Sequence, residues 1–210
     1  MCGRYSLYIK PTDLALRYGT INNDINFSPK KEIYPGQNAP VITIDTKSNN
    51  KQLKLFNWGF SPSYTKQKII NARSETIDQK TTFKKSFKDK RCLIPATSFF
   101  EWKKIAKNNI KHEIYLKNQK IFSFAGIYDQ FRDKDDNLIT CYTIITTNAN
   151  EKINNIHNRM PVILSKNQED NWLKTNNTAE LKKLLSPYNN NDTVIENNSD
   201  QKQLNLFNDN

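Results

Sequence analysis

Three side chains in this sequence combine a reactive group with a suggestive local context: Cys2, Glu101 and His157. If Met1 is removed, as a small second residue generally permits, Cys2 carries a thiol and a free α-amine on one carbon skeleton. Ordinary pKa values of about 8.5 for the thiol and about 7.7–8.0 for the amine leave a useful fraction of each nucleophilic near neutral pH. Such a 1,2-aminothiol captures one aldehyde twice, first as an imine and then, when sulfur closes on the imine carbon, as a five-membered thiazolidine. The plainer reading of Cys2 is a core strand residue behind a kept methionine. Glu101 lies in Phe99-Phe100-Glu101-Trp102. Aromatic neighbours solvate a carboxylate poorly, so its pKa should rise and let it hold or shuttle a proton, unless it sits on the wet face of a strand. His157 stands in His157-Asn158-Arg159-Met160-Pro161, just before the apolar Val162-Ile163-Leu164. A lone histidine is more often structural than catalytic, but one beside arginine and proline at the edge of a core strand is a candidate.

The elements that must hold these groups follow from periodicity. Cys2 to Ile9 alternates with Tyr5, Leu7 and Ile9 on one side and reads as a strand. Thr12 can cap a short helix through Tyr18 that ends at Gly19. Ile21 to Pro40, with Pro29, Pro35, Gly36 and Pro40, reads mostly as loop. Val41–Asp45 and Gln52–Trp58 read as a hairpin, ending in Trp58-Gly59-Phe60-Ser61-Pro62, where Trp58 offers a stacking face or simply fills the core. A basic helical segment around Phe83 to Lys90 leads into extended pieces at Arg91–Pro95 and Ala96–Trp102. Lys111–Lys117, Ile121–Phe131 and Leu138–Thr146 are further strands, and a short helix starts at Glu151. Lys166–Lys174 and Thr178–Leu185 look like amphipathic surface helices. With roughly seven or eight strands, the expectation is an α+β fold: a mainly antiparallel β core, barrel-like or two-sheet, with flanking short helices. One domain over residues 1–188 and a polar, flexible tail over 189–210 account for the length.

Lys+Arg number 32 against 21 Asp+Glu, a formal charge of +11, which suits a polyanion such as nucleic acid or reflects a generically basic surface. Cys2, Cys92 and Cys141 are odd in number and widely spaced, which fits a reducing setting better than a disulfide framework or zinc site. His112 and His157 are the two histidines, so a histidine metal site is not expected, and neither is an organic cofactor. The sequence lacks a long apolar run and a signal-like start, so a cytoplasmic, nucleoid-associated monomer is expected.

Taken in order, Met1-Cys2-Gly3-Arg4-Tyr5, Trp58-Gly59, Asn71-Ala72-Arg73-Ser74-Glu75-Thr76, Arg91-Cys92-Leu93-Ile94-Pro95, Phe100-Glu101-Trp102 and His157-Asn158-Arg159-Met160-Pro161 resemble the SRAP family, abasic-site processing proteins also described as SOS-response-associated peptidases. The resemblance implies that mature Cys2 forms a thiazolidine with the ring-opened aldehyde of an abasic site, preferentially in single-stranded DNA. It casts Glu101 as the acid/base of ring opening and imine chemistry, His157 as an aid to proton movement and reversal, and Asn71 as the residue positioning Cys2 and the sugar. It also brings Arg4, Arg73 and Arg159 around the lesion to grip phosphates, with Trp58 and Trp102 stacking on bases. Tyr64 stands where relatives often carry a tryptophan after the Trp-Gly motif, which leaves its part in DNA contacts open.

In the tail, Gln203-Leu204-Asn205-Leu206-Phe207 resembles the pentapeptide with which bacterial repair and replication proteins bind the β sliding clamp; Gln203, Leu204, Leu206 and Phe207 would be the anchors. Two other classes stay open: a peptidase or amidohydrolase with Cys2 as N-terminal nucleophile, including self-removal of Met1, and a non-covalent single-strand binding module.

Overall fold

The computed structural model describes residues 2–20 and 25–197. Its elements in chain order are β1 (Tyr5–Leu7), α1 (Pro11–Tyr18), β2 (Lys30–Ile33), β3 (Asn38–Ile44), β4 (Lys51–Trp58), β5 (Asn71–Arg73), α2 (Thr81–Asp89), β6 (Arg91–Ala96), β7 (Ser98–Ile105), β8 (Asn108–Leu116), β9 (Phe122–Arg132) and β10 (Leu138–Asn148). These are followed by α3 (Glu151–Asn154), β11 (Arg159–Pro161), β12 (Ile163–Leu164), α4 (Lys166–Lys174), α5 (Thr178–Lys183) and β13 (Thr193–Asn197). The fold is α+β with mainly antiparallel sheets and short helices, as expected from the sequence.

The strands form two sheets. One has five strands in the order β13-β8-β7-β1-β2. The other has eight, along β11-β10-β4-β3-β6-β9-β12 with β5 beside β10. Because β9 also pairs with β10, this second path closes on itself and makes a barrel without open edges over that ring. Alternation decides what fills the space between sheet and barrel: Tyr5 and Leu7 of β1 and Phe99 of β7 are fully buried. Phe124 of β9 meets Tyr5 and Phe99 edge-on, with centroids 5.8 and 5.9 Å apart. Arg91 fastens the helices to the barrel: its guanidinium donates to Phe87 O at the end of α2 and to Trp172 O and Thr175 O at the end of α4.

Four sequence expectations are corrected. The segment 21–40 contains β2 and the start of β3. Pro40 lies within β3, where its missing N–H is tolerated because β6 meets β3 only at Ile42↔Leu93. Helix α1 starts one residue before Thr12, with Lys10 at the N-cap and Pro11 as the first helical residue; Gly19 closes it at φ 64° as read from sequence. The polar tail does not begin at 189, because Thr193–Asn197 completes the five-stranded sheet by pairing with β8. The buried Thr193 hydroxyl anchors it, accepting from Asn150 Nδ2 and donating to Asn189 O. The clamp-like peptide 203–207 lies outside the described residues.

Trp58 is the fourth correction. It is fully buried, not a stacking platform for bases. Its ring lies edge-on to Tyr5 at 5.1 Å and parallel to Tyr142 at 6.3 Å, and Nε1 donates to Ile70 O at 3.1 Å. The apolar pull on a large ring at the sheet–barrel seam outweighs any use as a surface contact. Trp58→Ala is therefore expected to lower folding stability by about 3–5 kcal/mol, read as a lower midpoint in denaturant unfolding.

Candidate active site and nucleic-acid interface

The candidate site forms where the start of β1 meets the end of the barrel. Strand β1 runs antiparallel to β7 with Tyr5 opposite Phe99, and Phe100 N–H donates to Arg4 O at 3.0 Å. The same register carries residue 3 to the level of Glu101. From the barrel side, Asn71 is the first residue of β5, paired parallel to Ile144 of β10. Its Nδ2 donates to Cys2 O at 3.0 Å, so one amide ties the chain start to the barrel. Asn71 Oδ1 is buried with no hydrogen-bond partner among the described residues. Strand β10 bears β11 on its other side, with Asn148 opposite Arg159, and His157 stands two residues before that point. The pieces carrying Asn71 and His157 thus share one strand.

Electrostatics separates the groups. Cys2 is fully buried; burial, reinforced by the negative charge of Glu101, pushes its thiol well above the usual range. With Met1 still attached, sulfur is held towards its S–H form, directed at Arg4 O at 3.7 Å. Glu101 is buried on the same seam, and burial pushes its pKa up to about 7. The partly buried His157 is held below its ordinary value, chiefly by burial. Its Nδ1 lies within hydrogen-bonding distance of both Arg159 N–H, at 3.0 Å, and Arg159 O, at 3.2 Å, which fixes the ring against the start of β11. Near neutral pH the site therefore offers a carboxyl that can give or take a proton, a neutral imidazole and an un-ionised thiol. Among the described residues there is no group of His, Cys, Asp and Glu able to hold a metal ion.

The sequence profile of the family described as SOS response associated peptidase (SRAP) matches residues 1–201. The chain belongs to the SRAP family. It is similar to the abasic site processing protein YoqW of Bacillus subtilis (strain 168), 40% identical over 200 residues covering 90% of this chain and 88% of that protein. The abasic site processing protein HMCES of Xenopus tropicalis is 26% identical over 239 residues, covering 90% and 71%. Among solved structures, a Bacteroides thetaiotaomicron protein superposes with a TM-score of 0.83 at 31% identity, covering 93% of this chain and 91% of that one.

Within this SRAP fold the remaining sequence-predicted residues have different fates. Arg159 is not available to a phosphate as expected. Its guanidinium is clamped bidentately by Glu75 at 2.6 and 3.0 Å, and it also donates to Asn148 Oδ1 and Thr146 O. The pull of Glu75 and the carbonyl edge of β10 turn it into a staple between β11 and the 71–76 segment. Arg73, in contrast, is exposed. Tyr64 is 68% exposed, its hydroxyl bonded to Thr82 Oγ1, and it shares with Lys68, Ile70 and Asn71 a pocket of about 370 Å³. Arg4 lies between the rings of Tyr34 and Trp102 at 4.4 and 4.8 Å. Sequence reasoning missed Glu32 and Tyr34, which hold Arg4, and Lys111, which pairs with Glu32, and gave no part to Glu75. Glu75 could have been found as the acid two residues from Arg73 in a basic chain. Glu32 and Tyr34 gave no signal, because they fall in a proline-rich stretch read as loop.

Two outcomes follow. Arg73→Ala should flatten the dependence of log affinity for single-stranded DNA on log salt by about 0.7. Arg159→Ala should instead cost about 1–3 kcal/mol of folding stability. For Glu101, a native pKa of about 7 lies above that of the unfolded chain. Its contribution to stability is therefore intact below the unfolded carboxyl value and is lost as pH rises through about 7. His157, with a lowered pKa, acts with the opposite sign at lower pH. The difference in unfolding free energy between the native protein and Glu101→Gln, measured from pH 4 to pH 8, should shift against the native protein as pH rises.

Proposed function

We propose that the protein captures abasic sites in single-stranded DNA covalently, through Cys2 after removal of Met1. The observation that carries this reading is the placement of Cys2, held by Asn71 Nδ2 at 3.0 Å, against a buried Glu101 whose pKa is about 7. The names of the relatives, abasic site processing proteins, support the same target. The Cys2 amine adds to C1′ of the open-chain sugar, forming a C–N bond and a carbinolamine. Loss of its hydroxyl as water takes a proton from Glu101, and the nitrogen returns its own proton to the carboxylate, leaving the neutral imine. The Cys2 sulfur then bonds to the same carbon while its S–H proton passes through Glu101 to the imine nitrogen, and the net products are thiazolidine and one water. A buried carboxyl whose pKa is raised towards neutrality suits both directions of this transfer. The raised thiol pKa fits an order in which nitrogen attacks first and sulfur is deprotonated only as it closes. Asn71 holds the Cys2 carbonyl and so the attacking amine, and His157 Nε2 serves as a second proton site for reversal.

The word peptidase in the family description fits here as removal of the residue before Cys2. The exposed Arg73 and the stacked Arg4 provide phosphate contacts that read no sequence, in keeping with a lesion that has no base. For the tail, the same reading assigns residues 203–207 to a sliding clamp; a peptide of residues 200–210 with no affinity for purified clamp rules that out.

Incubation with single-stranded DNA containing one abasic site, followed by boiling in SDS, should give a shifted band. Cys2→Ala should abolish it while DNA binding persists, and Cys2→Ser should give no stable adduct. Glu101→Gln should slow its formation by about 10²–10⁴-fold. Intact-mass measurement finding Met1 fully kept on the crosslink-competent protein would overturn the mechanism, as would a band that survives Cys2→Ala.

A further inference from the structure

Arg4 is the cation next in sequence to the Cys2 site, and it is held from every side. Its guanidinium is stacked between Tyr34 of the β2 end and Trp102 of β7, and Nη1 sits 3.0 Å from Glu32 Oε2. Glu32 is occupied in turn: Oε2 also accepts from Tyr34 O–H at 2.6 Å, and Oε1 accepts from Lys111 Nζ. Lys111 crosses from β8 and lies 4.0 Å above the Phe100 ring. One carboxylate thus joins β2, β1 and β8 across the outer face of the five-stranded sheet. Glu32 and Lys111 also line a groove of about 860 Å³ on that face. Arg4 is nevertheless reachable from solvent, its side chain 28% exposed.

A glutamate here is puzzling for a protein that grips DNA, because its charge opposes phosphate and takes up one edge of Arg4. Burial alone would raise its pKa, yet the hydrogen bonds from Lys111 and Tyr34 and the charges of Lys111 and Arg4 outweigh it and hold the carboxylate ionised. The cluster still has net charge +1, from two cations and one anion. What the carboxylate adds is order. An arginine side chain free in solution loses rotamer freedom when it binds, and one already fixed does not.

We propose that Glu32 is a positioning residue for DNA capture: it fixes Arg4 between Tyr34 and Trp102, with the exposed part of the guanidinium turned to a phosphate flanking the lesion. This rests on the reading of the protein as a covalent abasic-site binder. It makes a prediction of opposite sign to the charge argument. Removing a negative charge from a DNA-binding face ordinarily strengthens binding, whereas removing Glu32 loosens Arg4 and weakens it.

The test uses the full chain, protein in excess over a single-stranded oligonucleotide with one abasic site, and crosslinking rate measured against protein concentration. Glu32→Ala and Glu32→Gln remove the same charge, but glutamine keeps an oxygen that can accept from Arg4 and Tyr34. We expect Glu32→Ala to raise the half-saturating concentration about tenfold, with the plateau rate kept, and Glu32→Gln to recover most of the loss. Thermal unfolding of both variants reports any folding defect separately. Equal tightening in the two variants would overturn the proposal, and so would a loss in Glu32→Ala that glutamine does not recover. Arg4→Ala serves as the control for the underlying reading. If it leaves the half-saturating concentration unchanged, Arg4 is not a DNA contact and that reading of the interface fails. If Arg4→Ala weakens capture while Glu32→Ala does not, the interface stands and Glu32 is no part of it.

Discussion

The structure turns on the burial of one carboxyl group at the seam between the five-stranded sheet and the barrel. Glu101 lies on the face of β7 that carries Phe99 and faces inward, so the apolar packing that closes the seam also strips water from its side chain. The same desolvation raises the thiol of Cys2 beside it. Two groups that would be mostly charged or easily ionised in water are therefore both held near or on their protonated sides. The chemistry proposed for them, proton transfer around an imine, needs that condition.

Barrel closure makes this arrangement rigid. Strand β10 pairs with β4, β5, β9 and β11, so Asn71, Arg73, Arg159 and the turn bearing His157 are all referenced to one strand. Trp58, Tyr5 and Tyr142 form a solid floor under the seam, with the two tyrosine hydroxyls 2.7 Å apart and fully buried. A side chain on such a floor loses little entropy when a ligand arrives. The Asn71–Cys2 bond then registers Cys2 against the barrel.

Much of the fold was legible in the sequence because periodicity reports burial. The strands through 91–146 and the helices at 166 and 178 lie within a few residues of where alternation and amphipathic spacing put them. The segment 21–40 was not legible, since prolines mask strands that are stabilised by partners far away in sequence. The same holds for β13, a short polar strand whose pairing with β8 supplies what its own composition does not. For the site, the residue types and order pointed to Cys2, Asn71, Glu101 and His157. Sequence could not say that Trp58 is covered or that Arg159 is spent on Glu75, because both facts depend on three-dimensional neighbours. Arg91 shows the reverse case: it stands in one of the stretches that carry the family resemblance, yet it closes helix ends.

The wall around Arg4 is built unevenly. Trp102 and Lys111 come from interior strands of the five-stranded sheet, while Glu32 and Tyr34 come from its margin, where β2 is held by β1 alone. Glu32 faces outward there while its neighbour Ile33 is fully buried opposite Tyr5, so the outward side chains can change with the core contact of β2 kept. The outer lip beside Arg4 can thus be reshaped by substitution while the Cys2–Glu101 seam behind it keeps its packing.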